Sequence, residues 1–149
     1  MVSRLATCAC ADVRISVEGE PNIVSMCHCL LCQKRTGSIY SVHAYFSKNK
    51  VTIEGLTKGY RRSSDSGRII EFHFCANCGS TMFWDLPMNA DFIGIPVGVF
   101  ADPAFPPPDV SIFMPHKHPW VVVPALPVRT ATAAAARSRC NLHGGTTCC

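Results

Sequence analysis

The sequence predicts a single, mainly β domain held together by metal ions, and three observations lead to this prediction. Apolar and polar residues alternate in "ADVRISVEG", which is the period of a strand with one buried face. Signals for long helices are scarce along the rest of the chain. Most of the 10 cysteines fall into clusters spaced as metal ligands are, in a chain of 149 residues that can build only a modest core.

Further strand signals follow in order along the chain, separated by turn residues. The segments "IYSVHAYFS" and "KVTIEG" predict two strands, and "LTKGYRRSS" and "GRIIEFHFC" predict a hairpin around Asp65-Ser66-Gly67. Later strands are predicted in "DFIGIPVGVF", "VSIFM" and "HPWVVVP". The intervening "ADPAFPPPD" predicts a loop, because its four prolines remove backbone donors.

Composition divides the chain into a domain at residues 1–128 and a poorly ordered tail at residues 129–149. The tail is rich in Ala, Ser, Thr, Gly and Arg, and it holds three of the 14 Lys and Arg residues but none of the 10 Asp and Glu. The domain therefore carries eleven cations against ten anions, so we expect no nucleic-acid partner. No apolar segment is long enough to predict a membrane span.

The start of the chain has no apolar segment typical of a signal peptide, so the sequence predicts a cytoplasmic protein. In that reducing compartment cysteines are metal ligands more often than disulfides. Cys8-x-Cys10 and Cys75-x-x-Cys78, the latter followed by Gly79, supply four thiolates from two distant segments. Four ligands close a tetrahedral shell, so this set predicts a structural zinc.

The remaining cluster, Cys27, Cys29 and Cys32, supplies three ligands from one short segment. Three protein ligands and one open position are typical of a catalytic zinc. One alternative is that His28, His116 or His118 completes the shell and makes the site structural. Another is a redox dithiol at Cys29 and Cys32, although the usual βαβ setting is absent.

Taken together, these motifs resemble the glutathione-dependent formaldehyde-activating enzyme (GFA) family, whose domain the centromere protein V group shares. The resemblance runs from about Cys8 to Val128 and consists of "CAC", "CHCLLCQKRTGS", "GYRRSSDSGRIIEFHFCANCGSTMFW" and "VSIFMPHKHPWVVV". Two departures are Ala11, where a glycine is common, and Gln33, where an arginine is common.

The resemblance implies an Mss4-like fold, in which β-sheets are pinned by zinc, and an enzyme with two zinc ions. It places Cys8, Cys10, Cys75 and Cys78 on a structural zinc, and it places Cys27, Cys29 and Cys32 on a catalytic one. The implied activity is that of a carbon–sulfur lyase, which forms S-hydroxymethylglutathione from formaldehyde and the co-substrate glutathione. Another thiol, or another small electrophile, is an alternative substrate.

The residues after the third cysteine suit an anionic, peptide-like substrate. Lys34 and Arg35 would pair with carboxylates, and Thr36 and Ser38 offer hydroxyls. The alternative is an ordinary polar loop. Trp84 and Trp120 are candidates for a pocket wall or for the core, and the acid–base candidates are His43, His73 and Glu71.

A second class of function is a non-catalytic, zinc-stabilised binding module for protein or chromatin partners. A cationic face or a fourth protein ligand on the second zinc would favour it. The nearly neutral domain and the three-cysteine cluster favour the enzyme.

Overall fold

A computed structural model describes residues 2–63, 67–86, 89–123 and 129–131. These residues form eleven strands, one α-helix and three short 3₁₀ helices, which confirms the predicted mainly β, Mss4-like class. The strands are β1 (Ser3–Thr7), β2 (Arg14–Glu18), β3 (Ile23–Cys27), β4 (Ser41–Ser47), β5 (Val51–Glu54), β6 (Thr57–Ser63), β7 (Ile69–Cys75), β8 (Thr81–Asp85), β9 (Phe92–Pro96), β10 (Val110–Ile112) and β11 (Arg129–Ala131). The helix α1 is Leu30–Thr36, and the 3₁₀ helices are Lys48–Lys50, Val97–Phe100 and Met114–His116.

The chain divides into two compact units. Of the described residues, the first unit contains those up to Asn22 together with those in Ala44–Phe105, and the second contains Ile23–His43 and those between 106 and 131. Strand β4 begins in the second unit and ends in the first.

In the first unit, β1, β2 and β5 form a three-stranded antiparallel sheet. The predicted alternation in β2 is confirmed, because Val13, Ile15 and Val17 are fully buried while Arg14, Ser16 and Glu18 are exposed. Each apolar side chain removed from water in this way stabilises the fold by about 1.5–3 kcal/mol.

The first unit also contains the antiparallel series β6, β7, β8 and β9. The predicted hairpin is confirmed by the pairing of β6 with β7, although residues 64–66 of its turn lie outside the described residues. Trp84 on β8 packs in a buried cluster with Tyr45, Ile70 and Phe72, so it belongs to the core.

In the second unit, β10 runs parallel to both β3 and β11. Asp109 fixes the start of the β3–β10 pair, since its carboxylate accepts from the Val24 N–H at 2.8 Å and its own N–H donates to the Val24 carbonyl at 2.8 Å. Helix α1 follows β3 after only two residues, and the left-handed Gly37 (φ 68°) ends it.

The strand predicted in "HPWVVVP" is wrong for residues 118–123, which form no strand. The Lys117 ammonium donates to the carbonyls of His118 (3.2 Å) and Val121 (2.8 Å), and the Val121 N–H bonds back to the His118 carbonyl (3.0 Å). These bonds close a turn and occupy groups that a neighbouring strand would need. Trp120 and Val122 are consequently exposed, at 68% and 86%.

Of the predicted tail, residues 129–149, the structure describes only 129–131, where the backbone forms β11. Residues 132–149, with Cys140, Cys148 and Cys149, lie outside the described residues. Within the part of the chain that is described, no helix has both the length and the apolar character that a membrane span requires.

Candidate metal centres

The first candidate centre, the four-thiol cluster, gathers Cys8, Cys10, Cys75 and Cys78 from two segments far apart in sequence. All four sulfurs lie within 4.8 Å of one another, with Cys8–Cys10 at 3.5 Å and Cys10–Cys75 at 3.6 Å. A tetrahedral zinc with Zn–S bonds of about 2.3 Å separates its sulfurs by about 3.8 Å, whereas a disulfide bond is about 2.05 Å long. The cluster therefore has the size and the chemistry of a four-sulfur metal site.

Two similar turns present these thiols in pairs. The Ala11 N–H donates to the Cys8 carbonyl at 3.0 Å, and the Gly79 N–H donates to the Cys75 carbonyl at 3.0 Å. Both turns need a left-handed residue, which is Ala11 (φ 62°) in one and Gly79 (φ 76°) in the other. Ala11 thus adopts the backbone conformation for which glycine is the usual choice.

The four thiols differ in their tendency to ionise. The hydroxyl of Ser80, 3.3 Å from the Cys78 sulfur, and the Ser80 N–H lower the pKa of Cys78 to about 5. The Asp12 N–H acts to lower the pKa of Cys10, but burial and the neighbouring thiols together raise it to about 12. Adjacent thiolates repel one another, so a bound cation is needed for all four to ionise together.

The second candidate centre, the three-thiol cluster, gathers Cys27, Cys29 and Cys32 from one short segment. Cys27 ends β3, Cys29 is the N-cap of α1, and Cys32 lies in the first turn of that helix. Their sulfurs lie within 4.8 Å of one another, and all three residues are buried. The Cys29 sulfur accepts from the Cys32 N–H at 3.3 Å, so it caps the helix as a side-chain oxygen usually does.

Among the residues that the structure describes, no fourth Cys, His, Asp or Glu ligand atom lies within 4.8 Å of all three thiols. His28, the residue between Cys27 and Cys29, is fully buried, and its Nε2 lies 3.1 Å from the Ser111 hydroxyl. Burial and the nearby charges of Lys117 and His118 lower the pKa of His28, which favours its neutral form.

Gln33 connects α1 to the segment that contains the other two histidines. Its side-chain amide donates to the carbonyls of His28 (2.8 Å) and His116 (3.1 Å), and its Oε1 lies 3.1 Å from His118 Nε2. Both polar atoms of the Gln33 side chain are therefore engaged within the second unit.

The predicted substrate-binding residues lie at the end of α1 and just beyond it: Lys34, Arg35, Thr36 and Ser38. The Arg35 guanidinium donates to the Ser41 hydroxyl at 3.2 Å. The Thr36 hydroxyl donates to the Cys32 carbonyl at 2.9 Å and accepts from the Ser38 N–H at 3.2 Å. Lys34 and Ser38 are exposed.

Sequence reasoning named His43 only as one of three acid–base candidates, and the structure places it beside the three-thiol cluster. Its side chain is buried and hydrogen-bonds both Cys32 and the Ser41 hydroxyl, which lies 2.6 Å from Nε2. Burial lowers the pKa of His43, Cys32 raises it and Arg35 lowers it, and the result is below the ordinary value. The available signal was the strand period, which puts Ser41 and His43 on one face of β4.

The other two acid–base candidates lie in the first unit and make different contacts. His73 stacks on Phe83 with ring centroids 4.4 Å apart, and Glu71 pairs with Arg61 at 2.8 Å.

Comparison with known proteins is consistent with this arrangement of thiols. Residues 3–116 match the model of the family described as glutathione-dependent formaldehyde-activating enzyme (GFA). The chain belongs to this family. The resemblance inferred from the cysteine motifs is therefore confirmed, and the GFA domain carries two cysteine clusters that could each hold a metal ion.

Among solved structures, this GFA-family chain is similar to a crystal structure of a Rhodobacter sphaeroides protein. The two are 20% identical, the alignment covers 69% of this chain and 91% of the other, and the TM-score is 0.53. At that identity the likeness concerns the fold alone. No curated protein matches the sequence.

Proposed function

We propose that this chain is a zinc-dependent carbon–sulfur lyase of the S-hydroxymethylglutathione synthase type. It would join the thiol of glutathione, or of a related compound, to formaldehyde or another small electrophile. A carbon–sulfur bond forms, the thiol proton passes to the carbonyl oxygen, and nothing is oxidised or reduced. The observation that carries the proposal is that a GFA-family chain contains both a four-thiol and a three-thiol cluster.

The two clusters would have different roles. Cys8, Cys10, Cys75 and Cys78 complete a tetrahedral shell and would hold a structural zinc. Cys27, Cys29 and Cys32 would fill three positions of a second shell and leave the fourth for a substrate. When bound there, zinc supplies a Lewis acid and a positive charge that favours ionised thiols.

The residues around the end of α1 would bind the anionic part of the co-substrate. Lys34 is exposed, and we propose that its ammonium attracts a glutathione carboxylate. Arg35 donates to the Ser41 hydroxyl, and we propose that its guanidinium also pairs with a carboxylate of the substrate. The hydroxyls of Thr36 and Ser38 would bind peptide groups of the same substrate.

We propose that the catalytic domain is residues 1–128 and that the tail, residues 129–149, takes no part in catalysis, although it begins with strand β11, which pairs with β10. A cytoplasmic location would suit this chemistry, because a reducing compartment keeps cysteine ligands available to a metal. The proposed partners are small molecules, a thiol and an electrophile, and they include neither nucleic acid nor membrane.

Cobalt substitution tests the proposal directly, because thiolate-to-cobalt absorption reports how many sulfurs bind the metal. We expect glutathione to change the absorption of protein that carries cobalt in both clusters. The same addition should leave Cys32→Ala protein, which retains the four-thiol cluster, unchanged. Affinity should rise with pH until the free thiol itself ionises, because binding releases the thiol proton.

A spectrum indifferent to glutathione, with both clusters loaded, would contradict the proposal. The chain would then be a zinc-stabilised binding module. An activity screen of thiols against aldehydes, with zinc quantified in parallel, would identify the electrophile.

A further inference from the structure

A continuous series of polar side chains leads from the surface of the second unit to one thiol of the three-thiol cluster. The Arg35 guanidinium lies 3.2 Å from the Ser41 hydroxyl, and that hydroxyl lies 2.6 Å from His43 Nε2. The His43 side chain also hydrogen-bonds Cys32. Only 6% of Ser41, 4% of His43 and 2% of Cys32 is exposed, so water cannot readily replace these contacts.

The direction of each hydrogen bond follows from the donors available. Arg35 can only donate, so the Ser41 oxygen accepts from it and has its own proton free for another acceptor. If Ser41 donates that proton to His43 Nε2, the imidazole carries its proton on Nδ1. Nδ1 is also the nitrogen left for Cys32, because Nε2 is engaged by Ser41.

We propose that His43 is a positioning residue of the three-thiol centre, whose Nδ1–H donates to the Cys32 thiolate in a tautomer set by Ser41 and Arg35. This inference rests on the proposed function, since Cys32 must be ionised on a metal for its sulfur to accept. A hydrogen bond to a metal-bound ligand fixes the orientation of that ligand and strengthens the site.

The bond has a further consequence for a centre that handles electrophiles. A sulfur that accepts an N–H bond carries less free charge, and it is a weaker nucleophile than the same sulfur without that bond. Cys32 would therefore remain a ligand while an electrophile attacks the incoming thiol. We expect Cys32 in zinc-loaded protein to react with an alkylating agent more slowly in wild type than in a variant that lacks the His43 donor.

Nitrogen-15 NMR of the imidazole reads this tautomer in zinc-loaded wild-type protein without any substitution. We expect the His43 proton on Nδ1, with Nε2 accepting from the Ser41 hydroxyl that lies 2.6 Å away. A zinc-loaded protein whose His43 carries its proton on Nε2 would overturn the proposal.

Two substitutions distinguish the effect of losing the hydrogen-bond donor from the effect of losing the volume of the imidazole ring. His43→Asn places an amide donor near the position of Nδ1, whereas His43→Gln places it near the position of Nε2. We expect zinc affinity at the three-thiol cluster to fall about tenfold in His43→Gln and less than about threefold in His43→Asn. In His43→Gln, the alkylation rate of Cys32 should rise as the zinc affinity falls. His73→Gln, a matched change in the first unit, should alter neither.

The outcomes separate this inference from the function on which it rests. If wild-type protein responds to glutathione in the cobalt experiment, but His43→Gln and His43→Asn both bind zinc as wild type does, only the role of His43 fails. If the three-thiol cluster of wild type takes up no metal, both fail. If His43→Gln does not fold, Ser41→Ala is the alternative variant, because it keeps the imidazole ring. If His43 in zinc-loaded Ser41→Ala still holds its proton wholly on Nδ1, Ser41 and Arg35 do not set the tautomer.

Discussion

The two thiol clusters differ in how the chain assembles them. The four-thiol cluster joins segments that are 65 positions apart between Cys10 and Cys75. The three-thiol cluster uses only the six positions from Cys27 to Cys32, where a β-strand ends and a short helix begins. A metal in the first cluster restricts a long stretch of chain, whereas a metal in the second stabilises a local turn. We therefore expect only a metal in the first cluster to contribute its binding free energy directly to the tertiary fold.

The clusters also differ in burial. A catalytic site is expected to be the more exposed of the two, but the opposite is observed. The proposed structural cluster includes the exposed Cys78, whereas all three proposed catalytic thiols are buried. Burial strengthens electrostatic interactions between a site and its surroundings, and it restricts water. A hydrogen bond to the buried three-thiol cluster, such as that of His43, is therefore stronger than the same contact would be at an exposed sulfur.

The largest effect that this comparison predicts is the loss of folding when the four-thiol cluster is broken. Cys75→Ala should cost more than about 5 kcal/mol, which is comparable to the whole stability of a small domain. Near-ultraviolet circular dichroism and thermal unfolding would detect the loss, with zinc content measured on the same samples. Cys78→Ala should behave similarly, because its exposed thiol completes the same shell.

The second effect is a loss of activity without a loss of fold. Cys32→Ala should reduce the zinc content from about two ions to about one per chain and abolish carbon–sulfur bond formation. Its free energy of unfolding should fall by only about 1–3 kcal/mol, which is usual for one buried substitution. If Cys32→Ala and Cys75→Ala unfolded the protein equally, the division into catalytic and structural sites would be wrong.

Sequence patterns predicted the features that depend on short-range periodicity. The alternation of Val13, Ile15 and Val17 gave strand β2, and the hairpin of β6 and β7 followed from a turn between two strand signals. The grouping of cysteines by number and spacing led to the two sets of thiols that the structure brings together. Spacing was informative because a tight turn admits few arrangements of two thiols.

Features that depend on tertiary context were missed. Helix α1 has seven residues and is capped by a cysteine sulfur, so it lacks the usual N-terminal signal, although Gly37 does mark its end. Strands β1, β3 and β8 were not predicted, and neither was β11, which lies in the segment expected to be a poorly ordered tail. The apolar residues after Trp120 predicted a strand, but hydrogen bonds from Lys117 close a turn there. The contact of His43 with Cys32 joins two separate elements, which no local pattern encodes.

A smaller effect concerns the exposed end of helix α1, next to the three-thiol cluster. Lys34→Ala should raise the KM for glutathione about two- to fivefold and leave kcat unchanged, since an exposed charge pair contributes about 0.2–1 kcal/mol. The difference from wild type should shrink as salt is added. Lys58→Ala, which removes an exposed cation from β6 in the first unit, is the matched control. A KM equally raised by both variants would mean that only net charge matters.

The smallest predicted effect is on the free energy of unfolding, and it concerns the two turns of the four-thiol cluster. Ala11 is left-handed at φ 62°, which costs a non-glycine residue about 1–2 kcal/mol, while glycine loses about 0.5–1 kcal/mol more entropy on folding. Ala11→Gly should therefore stabilise the protein by about 0.5–1 kcal/mol. Gly79→Ala should destabilise it by a similar amount through the backbone alone, because nothing lies within 4 Å of an added Cβ.

Chemical denaturation of zinc-saturated protein measures the change in the free energy of unfolding for Ala11→Gly and Gly79→Ala. Competition with a chelator then shows which cluster changes its zinc affinity. Because these turns hold ligands of the four-thiol cluster alone, the zinc affinity of that cluster should rise about two- to fivefold in Ala11→Gly and fall similarly in Gly79→Ala. The affinity of the three-thiol cluster should stay constant in both variants. A loss of stability in Ala11→Gly would show that the alanine turn is unstrained, and a response at the three-thiol cluster would show that the two metal centres are energetically coupled.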